Sequence, residues 1–317
     1  MDQPLFALLD RDADSLTFDA FDDRTNESTT PALQLHQRPA NWIVSYPRSG
    51  NTFVRSLLAN YASGLERPLT MAELVASTWG EHAELYMAPI TGKQPIDRTL
   101  EDEWRARSAY FDQVRTRLNP LMPMIKSHTP MAEVMGLPAF SFGPGDKAIH
   151  IVRHPCDVVV SMADYYNFSI DQAIAQMLKR DTCYYGAPDM GYELVGSWAQ
   201  HTRSWITDLP VPLARFTYDA LMQNPVGTLL ELAAFLGLEC DTNRAEQAVE
   251  FSSFGRMKSA AEVEGFAETA ETSRQGYFRH GKAGQWLDML TVGQASRILD
   301  SDPELIAFFG FTNLALS

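Results

Sequence analysis

The sequence has few cysteines. Only Cys156, Cys183 and Cys240 occur among 317 residues, and no pair has CxxC spacing. This pattern argues against a disulfide framework and against a structural zinc site. We therefore expect a protein of a reducing compartment.

Basic charge and long apolar runs are also scarce. The formal net charge is −14 and the pI is near 4.9, so general electrostatic binding of nucleic acid is not expected. The N-terminus, MDQPLFALLDRDADSLTFDAFDD, has no basic region before an apolar run, and no apolar run approaches the ~20 residues needed to span a bilayer. We expect a cytoplasmic protein that does not bind membranes, in which an anionic ligand would need a local basic pocket.

Four β-rich segments alternate with helical patterns from Asn41 onward. They are NWIVSY, MIKSH, KAIHIVRH and LARFTY, and helical patterns such as TFVRSLLANYA, CDVVVSMADYY and PVGTLLELAAFLGL lie between or after them. Such alternation predicts an α/β fold, with one central parallel β-sheet flanked by helices. We expect a single domain over residues 41–317, preceded by a loosely packed lead-in over residues 1–40. Ligands of such sheets bind beyond the carboxyl ends of the strands.

The first strand leads into the loop YPRSGNT and then into a helix. A helix N-terminus presents unpaired N–H groups and partial positive charge, so this turn is a natural anion site. Gly50 would allow close approach of the backbone, and Arg48 would add a planar guanidinium. The P-loop pattern GxxxxGK[ST] is incomplete here, because its first glycine and its lysine are missing. ATP with magnesium therefore fits this loop poorly.

The loop resembles the YPKSGTTW loop of sulfotransferases of the soluble, small-molecule type. These enzymes use 3′-phosphoadenosine-5′-phosphosulfate (PAPS) as the sulfuryl donor. The resemblance implies a P-loop-like phosphosulfate-binding loop formed by Arg48, Ser49, Gly50, Asn51 and Thr52.

Two further segments resemble the 3′-phosphate site of the same family. IVRHPCDVVVSMADYY has an arginine at a strand end and a serine eight residues later, which are Arg153 and Ser161. Two helical turns separate them, so both can face one phosphate. RQGYFRHGKAGQW resembles the C-terminal RKGxxGDW loop and implies nucleotide contacts from four residues, Phe278, Arg279, His280 and Gly281. Arg153 could instead form a structural ion pair with Asp157.

IKSHTP resembles the KTHLP segment of the family. The resemblance implies that Lys126 serves the transferring sulfuryl group and that His128 is the catalytic base, with Arg48 as a further catalytic cation. An imidazole with an ordinary pKa of about 6.5 suits this task. No metal is required on this account.

Weaker similarities concern the adenine of the donor. YDALMQNP and FSSF resemble family segments and imply roles for Tyr218, Ser252 and Phe254, while Phe53 stands where the family has a stacking tryptophan. Arg48 and His280 replace lysines of the family. The family's dimer segment, KxxxTVxxxE, is only partly retained, so a monomer and a homodimer both remain open.

The acceptor has no recognisable motif. We expect a small, hydrophobic alcohol, since two aromatic clusters could line an apolar pocket, although either could be ordinary core. The first comprises Trp79, Tyr86, Trp104, Tyr110 and Phe111, and the second comprises Tyr165, Tyr166, Phe168, Tyr184 and Tyr185. The alternatives are a small-molecule kinase that uses ATP, a nucleotide-binding protein without turnover, and a sulfotransferase that acts on large glycans.

Overall fold

The computed structural model describes residues 38–81, 83–185, 191–268, 278 and 281–311, with the backbone alone at residues 7–8, 84 and 185. The predicted contacts of Arg279 and His280 lie outside the described residues, as does most of the predicted lead-in. No helix in the described ranges is long and apolar enough to cross a membrane.

Short strands and helices alternate along the described chain. The strands are β1 (Ala7–Leu8), β2 (Asn41–Ser45), β3 (Thr78–Trp79), β4 (Met124–Ser127), β5 (Glu133–Val134), β6 (Leu137–Pro138), β7 (Lys147–Val152), β8 (Cys183–Tyr185), β9 (Tyr192–Leu194) and β10 (Leu213–Thr217). The helices are α1 (Asn51–Ser63), α2 (Met71–Ala76), α3 (Glu84–Thr91), α4 (Leu100–Arg115), α5 (Pro155–Tyr165), α6 (Ile170–Leu178), α7 (Trp198–Ser204), α8 (Tyr218–Gln223), α9 (Pro225–Leu236), α10 (Thr242–Phe251), α11 (Phe254–Glu264), α12 (Trp286–Met289), α13 (Val292–Leu299) and α14 (Pro303–Phe308). A short 3-10 helix covers Pro95–Asp97.

A five-stranded parallel sheet in the order β10-β7-β2-β4-β3 forms the centre of the fold. This confirms the predicted fold class, and β2, β4, β7 and β10 coincide with the four β-rich segments of the sequence. The fifth strand, β3, was not predicted, because two residues are too short to show a period. Antiparallel pairs β1–β8, β8–β9 and β5–β6 lie outside this sheet.

The sheet separates two apolar layers because the side chains of β2 alternate. Ile43 packs with α1, α9 and α10 on one face, whereas Trp42 and Val44 pack with α3 and α4 on the other. The first aromatic cluster belongs largely to this second layer, where Tyr110 and Phe111 are fully buried. A third apolar cluster joins α5, α6, α13 and α14.

The strand order brings the polar loops together. The chain leaves β2, adds β3 and β4 on one side of it, and then adds β7 and β10 on the other. Crevices form where the strand order reverses in this way, beyond the carboxyl ends of the strands. The four predicted strands end at Ser45, Ser127, Val152 and Thr217, so the segments that follow them converge at this edge.

Candidate functional site

The loop between β2 and α1 places Ser49 and Gly50 at the start of the helix. Gly50 is the N-cap of α1, has a φ of 99°, and provides no side-chain cap. A Cβ at this position would lie 2.5 Å from Cδ2 of Tyr218, so the loop requires glycine for both its backbone angle and its contact. Ser49 is fully buried, and its hydroxyl has no hydrogen-bond partner among the described residues. This hydroxyl therefore remains available to an anion beside the N-terminus of α1, where the helix dipole favours negative charge.

Hydrogen bonds to β2 and to α5 hold Asn51 and Arg48 in place. Nδ2 of Asn51 donates to the carbonyl of Ile43 at 2.9 Å and thereby ties the helix to its own strand. Arg48 has a φ of 65° and reaches toward α5, where its Nε donates to Oγ of Ser161 at 3.1 Å. Its guanidinium also lies 4.2 Å from the ring centre of Tyr165. Two segments predicted to bind different phosphates are thus in direct contact.

Arg153 lies at the centre of this edge. It is nearly buried, and its guanidinium donates to the carbonyls of Arg48 and Lys282, each at 3.1 Å. The same group lies 4.6 Å from the ring centre of Tyr218. Its Nε has no partner among the described residues. Arg153 therefore connects the first loop with the C-terminal loop and keeps one donor unused.

Asp157 holds the C-terminal loop against α5. Its carboxylate accepts hydrogen bonds from the backbone N–H groups of Gly284 at 2.6 Å and of Trp286 at 3.1 Å. No ion pair between Asp157 and Arg153 occurs in the described part of the chain, so the alternative structural pair is not formed there. His154 caps α5 through Nδ1 and stacks on Trp286, with 5.0 Å between the ring centres.

The residues predicted to contact adenine lie beside α1. Phe53 and Phe254 are partly buried against the apolar layer that Ile43 forms with α1, α9 and α10. Phe278 is buried and packs edge-on to Phe254, with 6.1 Å between the ring centres, and Gly281 adopts a φ of 60° next to the same ring. The hydroxyl of Ser252 is fully buried and bonds to Ser56 at 2.9 Å and to Asn60 at 3.1 Å.

His128 follows β4 at the same edge. Its Nδ1 lies 2.6 Å from the carbonyl oxygen of Ser45. A carbonyl can only accept, so Nδ1 carries the proton and Nε2 carries the lone pair. Burial lowers the pKa of His128 to about 3, with the charge of Lys126 acting in the same direction. The imidazole is therefore neutral near pH 7, and the expected ordinary pKa of about 6.5 is wrong for this site, because burial disfavours the imidazolium.

A buried carboxylate supports the backbone at His128. Glu81 accepts from the N–H of His128 at 2.9 Å and from the hydroxyl of Thr129 at 2.6 Å. Arg107 pairs with the same carboxylate, and both side chains are almost inaccessible to solvent. Glu81 was not predicted, because it lies in a segment without a motif and 47 positions before His128.

Lys126 belongs to a second charged cluster. Its Nζ lies 3.7 Å from a carboxylate oxygen of Glu268. The same carboxylate accepts from Thr52 at 3.1 Å and from Arg55 at 2.8 Å. Glu268 and Arg55 were likewise not predicted, since neither belongs to a recognisable motif.

The second aromatic cluster borders this edge. Tyr165 and Tyr166 are partly buried, with 4.9 Å between the ring centres, and Phe168 stacks beside Tyr166.

Glu193 is a further carboxyl near Lys126. It interacts electrostatically with Lys126, and burial raises the pKa of this carboxyl to about 7. Among the described residues, no group of three or more His, Cys, Asp or Glu side chains could hold a metal ion.

A sulfotransferase domain family model matches residues 38–301. The chain belongs to the sulfotransferase family. This sulfotransferase is 25% identical to sulfotransferase 1B1 of Canis lupus familiaris over 267 residues, which cover 82% of this chain and 81% of that protein. It is 28% identical to sulfotransferase 2A6 of Rattus norvegicus over 260 residues, with coverages of 80% and 79%. The family predicted from the motifs is thus confirmed.

The fold comparison agrees with this assignment. The crystal structure of mouse sulfotransferase SULT7A1 complexed with PAP covers 84% of each chain with a TM-score of 0.56 and 21% sequence identity. Retinol dehydratase, in complex with androsterone and the inactive cofactor PAP, covers 87% of this chain and 82% of its own, with a TM-score of 0.54 and 15% identity. At these identities the likeness shows that this sulfotransferase shares their fold.

Proposed function

We propose that this sulfotransferase moves a sulfuryl group from PAPS to a hydroxyl of a small, hydrophobic acceptor, with His128 as the general base. One observation carries the proposal. Arg48, Arg153 and Ser161 meet at the N-terminus of α1, while His128 lies at the end of the neighbouring strand. The PAP (3′-phosphoadenosine 5′-phosphate, the spent donor) in the two solved relatives supports the choice of donor.

The unsatisfied polar atoms fit such a donor. The first turn of α1, with Arg48 and the buried hydroxyl of Ser49, would hold the 5′-phosphosulfate. Arg153 would bind the 3′-phosphate through its unused Nε. Ser161 already accepts from Arg48, so its own O–H is left to donate to the same phosphate. The resemblance adds Arg279 and His280 to this group.

The adenine would lie between aromatic side chains. Phe53 and Phe254 provide apolar faces beside α1, and Tyr218 closes the site next to Gly50. Ser252 would support this wall through its buried hydrogen bonds, since its hydroxyl is engaged with Ser56 and Asn60.

In the transfer step, the acceptor oxygen forms a bond to sulfur as the bond from sulfur to the bridging phosphate oxygen breaks. The acceptor's proton passes to Nε2 of His128, while Arg48 and Lys126 offset the charge that develops on the transferring group and the leaving oxygen. The low pKa of His128 describes the enzyme without substrates. A bound polyanion would raise this pKa, because nearby negative charge favours the imidazolium.

The acceptor would reach this point past the second aromatic cluster. Tyr165, Tyr166 and Phe168 provide a partly exposed apolar surface beside Arg48. This surface suits a phenol or another hydrophobic alcohol better than a large, polar glycan.

The test is an assay of radiolabelled sulfate transfer from PAPS to a panel of phenols and aliphatic alcohols. We expect transfer to at least one of them, and a loss of ~10²–10⁴-fold in kcat for His128→Ala with PAP affinity retained. A wild-type rate in this variant would refute the role of the base. PAP binding without transfer to any acceptor would favour the nucleotide-binding alternative.

A further inference from the structure

Glu268 places a negative charge inside the predicted donor site. One of its carboxylate oxygens accepts from Oγ1 of Thr52 at 3.1 Å and lies 3.7 Å from Nζ of Lys126. Both oxygens lie 2.8 Å from Nη2 of Arg55. The backbone carbonyl of Glu268 accepts from the hydroxyl of Tyr165 at 2.8 Å. Side-chain and main-chain contacts therefore hold this carboxylate against the first turn of α1.

This carboxylate is ionised. Burial alone would raise its pKa, but the charges of Lys126 and Arg55 outweigh burial and hold the pKa well below the usual range of a glutamate. Thr52 belongs to the first turn of α1, which would hold the 5′-phosphosulfate in the proposed function. Lys126 would offset the charge of the transferring sulfuryl group. A phosphosulfate at the same atoms would place two anions side by side, and like charges at such distances repel strongly in a partly buried site.

We propose that Glu268 is an internal anion that occupies the phosphosulfate site in the nucleotide-free enzyme, and that the donor must displace it from Thr52 and Lys126 to bind. This inference rests on the proposed function, because it concerns the same site. The competition lowers donor affinity without any external inhibitor.

Arg55 provides a buried positive charge that favours an anion beside it. Its side chain is 6% exposed, and a buried guanidinium without a counter-charge is strongly unfavourable. Nη2 of Arg55 also donates to Oγ1 of Thr52 at 2.8 Å, so Arg55 lies directly behind the predicted donor contact. Glu268 neutralises this charge before the donor arrives, and the anionic donor then contributes negative charge at the same place.

The test compares PAP affinity in three forms of the full chain by calorimetry at low salt. Glu268→Gln keeps an oxygen for Thr52 and Arg55 but removes the charge, and we expect it to bind PAP about tenfold more tightly than the wild type. Glu262→Gln is the matched control, because it makes the same charge change at an exposed side chain of α11. We expect its PAP affinity to equal that of the wild type.

Equal or weaker PAP binding by Glu268→Gln would overturn the inference, because it would mean that Glu268 organises the donor site and does not compete for it. If this variant fails to fold, Glu268→Asp replaces it. The shorter side chain withdraws the charge from Lys126 and Thr52, so tighter PAP binding is again expected and equal or weaker binding would again overturn the inference. If the wild type itself binds no PAP, the proposed function fails as a whole.

Discussion

Replacing Gly50 by alanine tests the geometry of the donor loop. At a φ of 99° an L-residue costs about 1–2 kcal/mol. The added Cβ would also lie 2.5 Å from Cδ2 and 2.8 Å from Cε2 of Tyr218, well inside an ordinary contact. Overpacking of this kind costs roughly 1–3 kcal/mol. We therefore expect Gly50→Ala to lower the free energy of unfolding by about 2–5 kcal/mol.

The same change is expected to weaken PAP binding. The ring of Tyr218 that the new Cβ displaces also lies under the guanidinium of Arg153, 4.6 Å away, so a shift of the ring moves this arginine. Gly92→Ala is the matched control, since Gly92 has a φ of 66° but nothing within 4 Å of an added Cβ. This control should lose only the backbone contribution of about 1 kcal/mol and retain PAP affinity.

Urea unfolding and PAP calorimetry measure both effects. A double variant isolates the contact, because Tyr218→Ala removes the ring that the new Cβ meets. Gly50→Ala should then cost about 1–3 kcal/mol less in the Tyr218→Ala background than in the wild type. Equal costs in both backgrounds, or equal losses for Gly50→Ala and Gly92→Ala, would mean that the contact with Tyr218 does not constrain position 50.

Three further variants test neighbouring features. Burial lowers the pKa of His154 to about 4, so at this residue the unfolded chain binds one more proton than the folded chain between pH 4 and about 6.5. His154 should therefore lower the free energy of unfolding by up to about 3 kcal/mol as the pH falls through this window. His154→Asn keeps a helix cap and should reduce the pH dependence by this contribution in urea unfolding, while other buried histidines such as His128 keep theirs. Glu81→Gln should lower kcat about tenfold or more with PAP affinity retained, because it loosens the backbone at His128, and steady-state kinetics with calorimetry would separate the two effects. Asp157→Ala leaves the N–H of Trp286 without its acceptor and should lower the free energy of unfolding by about 1–3 kcal/mol, and unfolding that matches the wild type would contradict this.

The sequence predicted those parts of the fold that local patterns control. β2 and β7 are apolar runs that end at polar loops, and α1 and α5 begin where a glycine or a proline signals a helix start. β3 was missed because Thr78–Trp79 is too short for a period and is defined only by its pairing with β4. Pairing of this kind is a property of the tertiary structure.

In the candidate site, too, local motifs indicated some residues, whereas others are placed there only by the tertiary structure. Motifs indicated Arg153 and His128, whose positions follow directly from the strands that precede them. Glu268 reaches Thr52 across 216 positions of sequence, and nothing near either residue indicates that contact. The contacts of Glu81 and Glu268 were therefore accessible only from the structure.

The proposed function requires that the edge of the sheet around Arg153 binds a 3′-phosphorylated adenine nucleotide. Calorimetry of PAP, beside ATP with magnesium, tests it on the wild type, on Arg153→Ala and on Arg105→Ala, a control at an exposed arginine of α4. We expect PAP to bind, Arg153→Ala to weaken binding about tenfold or more, and Arg105→Ala to have no effect. Binding of ATP with magnesium but not of PAP would rule out the PAPS-dependent function and favour the kinase alternative.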